Sequence, residues 1–299
     1  MRILGTLAAL GLLVYLVVSQ GWQALLDSLE QVSWPGFLLA LVLIFCSRLA
    51  TVGRWHVLLR SADVPIHLRQ SLELVFAGLF SANFLPTTVG GDLVRLAGAV
   101  RWGYDGAVVA ASLVMDRLVG MAGMATVLPF GLASFLSQPL PFPKNEAVGP
   151  ALAAALPARL VPWVRAKLGS LWQSLVRAAR LWLSRPRQLF VAYLFTWGHM
   201  LFTFLTTWFL FQVMGEHVPF TLVAGLWSMS YFITLLPISI NGLGLQELSI
   251  SFFFTNYAHV SIHSALVLAI LMRAVPLLCS LPGALFVPGL LQPEKTPGG

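Results

Sequence analysis

A chain of 299 residues that is 58% hydrophobic and only 10% charged, with a mean hydropathy of +0.84, is not an ordinary soluble domain, where about a quarter of residues carry charge. Its net charge of +7 comes from arginines and lysines placed mainly where the inner-leaflet rule puts them, so nothing points to nucleic acid. Cys46 and Cys279 both fall inside apolar runs and read as two buried thiols without a disulfide.

The N-terminus, MRILGTLAALGLLVYLVVSQG, has the basic start and apolar core of a signal peptide but no convincing small-x-small cleavage site. It is expected to be a retained first span, about 3–19. Arg2 places the N-terminus inside, and the loop with Asp27 and Glu30 lies outside. A second span, about 35–55, returns to a cluster of Arg54, Arg60 and Arg69, with Arg48 deeper. Arg54-Trp55 near its inner end is read as a snorkelling anchor. Two short apolar pieces follow, about 71–84 and 93–100, joined by the break Pro86-Thr-Thr-Val-Gly90-Gly91-Asp92. Arg69 lies before them and Arg95 and Arg101 lie in or after them, which predicts a re-entrant hairpin on the cytoplasmic side.

A third span runs from about 106 to 128, to an external proline-rich stretch at 137–149. The return is either a crossing near 147–163 or a folding of 106–137 into two short passes. Residues 164–187 carry six basic residues and no acid on a near-helical apolar stripe. They form either an amphipathic helix on the inner leaflet or a plain cytoplasmic connector. A span at about 188–213 leads out to Glu216 and His217. A second pair of pieces, 220–236 and 244–256, flanks the break Pro237-Ile-Ser-Ile-Asn241-Gly242-Leu-Gly244 and would enter from outside. A final helix, about 261–285, puts the C-terminus in the cytoplasm, and 291–299 reads as a disordered tail.

The fold class is therefore all-α: a polytopic integral membrane helix bundle of about six full spans, with two broken, re-entrant helical hairpins in an inverted repeat. Repeat 1 covers about 35–163 and repeat 2 about 188–290, within one domain, 1–290. Each break is followed by an acid, Asp92 or Glu247, and each repeat then places an arginine within an apolar run, Asp116-Arg117 or Met272-Arg273.

A helix broken in lipid exposes backbone groups, and this is tolerated only inside protein or against a wet cavity. The half-helix starting near Asp92 offers free N–H groups to an anion. Glycines 90, 91, 242 and 244 would let that anion approach the backbone. An ionised side chain costs roughly 2.5–3.5 kcal/mol at a helix centre, so these charges must pair or face water. Arg117 and Arg273 are expected as headgroup ligands, with Asp92 and Glu247 as their resting partners. The alternative is a set of structural salt bridges, and for Asp116-Arg117 the two readings are even, since adjacent residues on a helix point apart. Asn241, Gly242 and Gly244 complete the expected site, with Pro86 and Pro237 as the breakers.

Other signals are bland. His259 and His263 have i,i+4 spacing but no third ligand, so no metal is expected. His199 reads as a hydrogen-bonded packing histidine, and Trp197, Trp208 and Trp227 as core or interface aromatics. No phosphate-binding loop, zinc-protease helix or nucleophile elbow is present, and no cofactor is expected.

Asn83-Phe84-Leu85-Pro86, Gly90-Gly91-Asp92, Asp116-Arg117, Arg54-Trp55 and Leu236-Pro237…Asn241-Gly242-Leu243-Gly244…Glu247 together resemble the flippase-like transmembrane domain of lysylphosphatidylglycerol synthetases. The resemblance covers about residues 1–290. It implies an inner-membrane protein that moves an anionic or modified lipid, a phospholipid or a polyprenyl-phosphate-linked one, between leaflets. Family members often have Glu-Arg where this chain has Asp116-Arg117. The soluble domain that aminoacylates phosphatidylglycerol in the bifunctional enzymes has no counterpart in this sequence, so synthetase activity is not implied. The partner expected is a membrane lipid with an anionic headgroup. The alternative is a non-transporting scaffold for an envelope-biosynthesis enzyme, docked through 164–187.

Overall fold

The computed structural model describes residues 30–85, 89–137, 184–236 and 242–291, together with Gly11 and Trp182. The expected first span, the 147–163 crossing, most of the basic helix 164–187 and the C-terminal tail lie outside the described residues, as do Pro86, Pro237 and Asn241.

All regular structure among the described residues is helical, and the lengths repeat. Repeat 1 runs α1 (Trp34–Ser61), α2 (Leu68–Ala82), α3 (Gly90–Arg101) and α4 (Gly106–Ser137). Repeat 2 runs α5 (Pro186–Val213), α6 (Phe220–Thr234), α7 (Leu245–Tyr257) and α8 (Ile262–Ser280), extended by a 3-10 turn (Leu281–Leu285) and a short α9 (Val287–Leu291). Each repeat is long, short, short, long. Four of these helices, α1, α4, α5 and α8 with its extension, are long and apolar enough to cross a membrane. The chain is a multi-pass membrane protein. The 15 residues of α2 or α6 reach only about 22 Å, short of a hydrocarbon core of about 30 Å.

The two repeats run in opposite directions. α1 and α5 form the largest helix contact and are antiparallel. Gly36 meets Phe209, Gly53 meets Phe195, and Trp182, just before α5, donates its indole N–H to the Leu58 carbonyl. At the centre, Ser47 Oγ lies 2.6 Å from His199 Nδ1. Ser47 and His199 hold the same position in their respective 28-residue helices. A pseudo-twofold axis therefore passes between them, perpendicular to both helices. The remaining contacts follow that axis. α4 packs on α6 as the end of α8 packs on α2, α3 pairs with α2 as α7 pairs with α6, and α1 touches α8 as α5 touches α4. The outward faces match as well: Leu38, Val42, Phe45 and Leu49 on α1 and Phe190, Leu194, Trp197 and Leu201 on α5 are all exposed at corresponding positions. That spacing of four, three and four residues is the stripe of a helix facing lipid.

Small residues allow the closest approaches. A Cβ on Gly131 of α4 would stand 2.5 Å from the Gly225 carbonyl oxygen of α6, the backbone-to-backbone contact that glycine permits between membrane helices. Gly283 makes the equivalent approach to the Phe76 carbonyl of α2. The core divides likewise. One apolar cluster gathers Trp55, Leu74, Phe76 and Val109 in repeat 1, and another gathers Phe211, Phe254, Tyr257 and Leu266 in repeat 2.

Two expectations are corrected. Residues 106–137 form one continuous helix through Pro129, not two short passes, since proline is tolerated in membrane helices where neighbours and local adjustment satisfy the freed backbone. Arg54 is not a snorkelling anchor: it is 8% exposed and ion-paired inside the bundle. Both cysteines are free, Cys279 buried and Cys46 half-buried. His199 is hydrogen-bonded, as the sequence reading had it.

Candidate functional site

The first break ends α2 with its carbonyls satisfied. The Asn83 amide donates to the Leu79 and Phe80 carbonyls, both at 3.1 Å, and to Ser280 Oγ of α8 at 2.9 Å. α3 begins at Gly90, two residues before Asp92, which sits in its first turn. Gly90 and Gly91 serve packing, because Cβ atoms there would meet the Leu85 side chain and the Gly78 carbonyl at 2.5 Å. The second break turns through Gly242 (φ 69°) and Gly244 (φ 75°), a region of backbone that glycine adopts without strain. α7 follows, with Glu247 in its first turn.

Both breaks converge on one polar cavity of about 380 Å³. Its wall includes Asp92 and Arg95 from α3 and Leu235, Gly242 and Gln246 from around the second break. Arg48, Arg54, Asp116, Arg117, His199 and Tyr231 come from the long helices and α6. A second cavity of about 680 Å³ shares Arg48, His199, Tyr231 and Gln246 with the first. Its other walls are mostly apolar, among them Ile44, Leu79, Phe84, Leu243, Pro276 and Leu277, with Arg273 at one side. A polar chamber therefore borders a greasy one.

The charges in the polar chamber form an alternating ladder. Arg54 Nε donates to Asp116 Oδ1 at 2.6 Å, and Arg95 donates to Asp116 Oδ2 at 3.2 and 3.3 Å. Arg95 also reaches Asp92 Oδ1 at 3.2 Å, and Arg117 Nε donates to Asp92 Oδ2 at 2.6 Å. The ladder ties α1, α4 and α3 together. The Arg95 guanidinium lies 4.0 Å over the Trp55 ring, and the Trp55 indole N–H is held by Ser112 Oγ at 3.1 Å. Gly120 makes room for Arg54, since a Cβ there would lie 3.2 Å from Nη1. Four arginines face two aspartates in the lining, an excess of two positive charges. Arg48 has no ion pair, and its buried Nε has no hydrogen-bond partner, among the described residues.

The family model for the lysylphosphatidylglycerol synthase transmembrane region matches residues 2–283. The chain belongs to that family. No curated protein matches it.

Within this lysylphosphatidylglycerol synthase transmembrane region, the acid–arginine pairs expected from the sequence are present in both repeats. Arg117 holds Asp92 at 2.6 Å, and Arg273 holds Glu247 at 3.2 Å while also donating to Gln246 Oε1 at 3.4 Å. Asp92, Asp116, Arg117 and Gly242 line the polar chamber and Arg273 the apolar one; Glu247, Gly244, Gly90 and Gly91 line neither. Sequence reasoning missed Arg48, Arg54 and Arg95 as site residues. The available signal was an excess of intramembrane arginines over acids in repeat 1. No group of three or more His, Cys, Asp or Glu residues able to hold a metal occurs among the described residues.

Proposed function

We infer that the protein binds a lipid with an anionic headgroup between its two broken hairpins and carries it across the cytoplasmic membrane. The observation that carries this reading is the polar chamber: it holds an excess of two positive charges, lies beside the midpoint of the central helix pair, and borders an apolar chamber. Unpaired charge at such depth is costly unless a counter-ion arrives. A phosphate-bearing headgroup supplies that counter-ion, and its chain continues into the apolar chamber or the bilayer. Arg117 and Arg273 exchange their resting carboxylates, Asp92 and Glu247, for headgroup oxygens as the lipid passes. The hairpins are re-entrant, opening to opposite faces, and oppositely oriented repeats rock about the cleft to change its access. Both termini lie in the cytoplasm.

The test is reconstitution into vesicles of mixed phosphatidylglycerol and phosphatidylethanolamine, following loss of leaflet asymmetry of a labelled anionic lipid. Accelerated exchange is expected, slowed about tenfold or more by Arg117→Gln or Arg273→Gln, the loss of a charge-assisted hydrogen bond. No acceleration with any anionic lipid overturns the reading.

A further inference from the structure

We propose that Arg48 seats the lipid's phosphate and that the cleft takes a phosphodiester lipid with a hydroxylated, uncharged headgroup in preference to an aminoacylated one. This narrows the lipid-binding reading above to a substrate class.

Arg48 directly follows Ser47, at the middle of α1, and it lines both chambers. With His199, Tyr231 and Gln246 it stands on the boundary between polar and apolar space, and it is the charged group there. Its Nε is buried with no acceptor among the described residues, so a phosphate in the cavity would be met by the outer nitrogens of the guanidinium. A guanidinium is the side chain best matched to phosphate oxygens, which it can receive two at a time. A phosphodiester at Arg48 would direct its chain toward Ile44, Leu79 and Leu277 and its headgroup toward Tyr231 and Thr234.

The headgroup end offers a cation no carboxylate that is free of an arginine. Both oxygens of Asp116 are taken by Arg54 and Arg95. At rest both oxygens of Asp92 are held by Arg95 and Arg117, and when Arg117 turns to the headgroup Asp92 keeps Arg95. Glu247 lines neither chamber. An aminoacyl headgroup carries ammonium groups that need an acceptor. In this chamber they would find carboxylates already bound and an excess of positive charge. One phosphate leaves part of that excess uncompensated, so an added ammonium is repelled rather than held. Thr51, Tyr231, Thr234 and Gln246, which remain in the lining, are neutral hydroxyls and an amide. They suit the hydroxyls of a glycerol or polyol.

The experiment is displacement of a labelled phosphatidylglycerol from the full-length protein in detergent by unlabelled phosphatidylglycerol, lysyl-phosphatidylglycerol or phosphatidylethanolamine. Phosphatidylglycerol should compete at a concentration about tenfold or more below lysyl-phosphatidylglycerol. Arg48→Gln should weaken phosphatidylglycerol about tenfold or more, and Arg48→Lys should restore part of that loss. Lysyl-phosphatidylglycerol competing equally or better overturns the selectivity while leaving lipid binding intact. Arg48→Gln binding phosphatidylglycerol as the wild type does overturns the seat. Failure of every lipid to compete overturns both readings. The wild-type comparison stands even where an Arg48 variant fails to fold.

Discussion

Asp116→Asn isolates the central rung of the charge ladder. The carboxylate is 4% exposed and carries two guanidiniums, one on each oxygen. Asparagine keeps the shape and one acceptor oxygen but removes the charge. Arg54, 8% exposed, then becomes a buried cation without a counter-ion, facing Arg95, 7% exposed, which has only Asp92 left. Removing one partner of a buried pair costs about 3–5 kcal/mol. Arg95 keeps a contact to Asp92, which holds the expected loss within that range rather than at twice it. At about 2–3 °C per kcal/mol for a chain of this size, the melting temperature in detergent should fall by roughly 6–15 °C. Asp116→Glu, which keeps the charge, should recover much of it. Fluorescence-detected thermal unfolding reads the difference, and the double variant with Arg54→Gln should be less than additive. A drop of under about 1 kcal/mol would show that Asp116 is not the anchor of the ladder.

Asp92→Asn should cost only about 1 kcal/mol of stability, because Arg117 is 43% exposed and the buried Arg95 keeps Asp116, and it should slow lipid exchange more than it lowers the melting temperature. Gly225→Ala should destabilise by about 1–3 kcal/mol or more in the same unfolding assay, since its new Cβ overlaps the Gly131 backbone; Gly289→Ala, with open space around it, should stay within about 0.5 kcal/mol. Outside the membrane, Arg185 grips both oxygens of Asp63 at 2.9 and 2.6 Å and holds that carboxyl below its usual range. A depressed carboxylate contributes above its unfolded value of about 3.9 and loses that contribution as pH falls through the lower folded value. Amide exchange near residues 61–64 should therefore quicken below that pH in the wild type, and should already be quick at neutral pH in Asp63→Asn.

Much of the architecture was legible because turn residues have few uses in an apolar chain. Asn83, Pro86 and the paired glycines could only mark breaks, and the matching words around Pro237 revealed the repeat. The Asp92–Arg117 and Glu247–Arg273 pairs followed from the cost of isolated charge in lipid. Arg54 and Arg95 were misread because nearness to a predicted loop was taken as nearness to water. Their satisfaction depends on Asp116, 62 and 21 residues away, and on which face of α1 and α3 turns inward. Hydropathy does not encode that face when the helix is apolar all round. The alternative of two short passes in 106–137 had no cluster of turn residues behind it, and the helix continues through Pro129. Gly90 and Gly91 showed that small side chains were required but not whether a ligand or a neighbouring helix fills the space.

The Ser47–His199 contact has one more consequence. Residues related by a twofold axis exchange places, so if the two halves were to trade shapes, this contact would come back unchanged while the outer helices swung. It is a fulcrum. Arg48, its immediate neighbour, would stay at a constant depth while the doors on either side opened in turn, so cargo resting there would change its exit without itself being lifted.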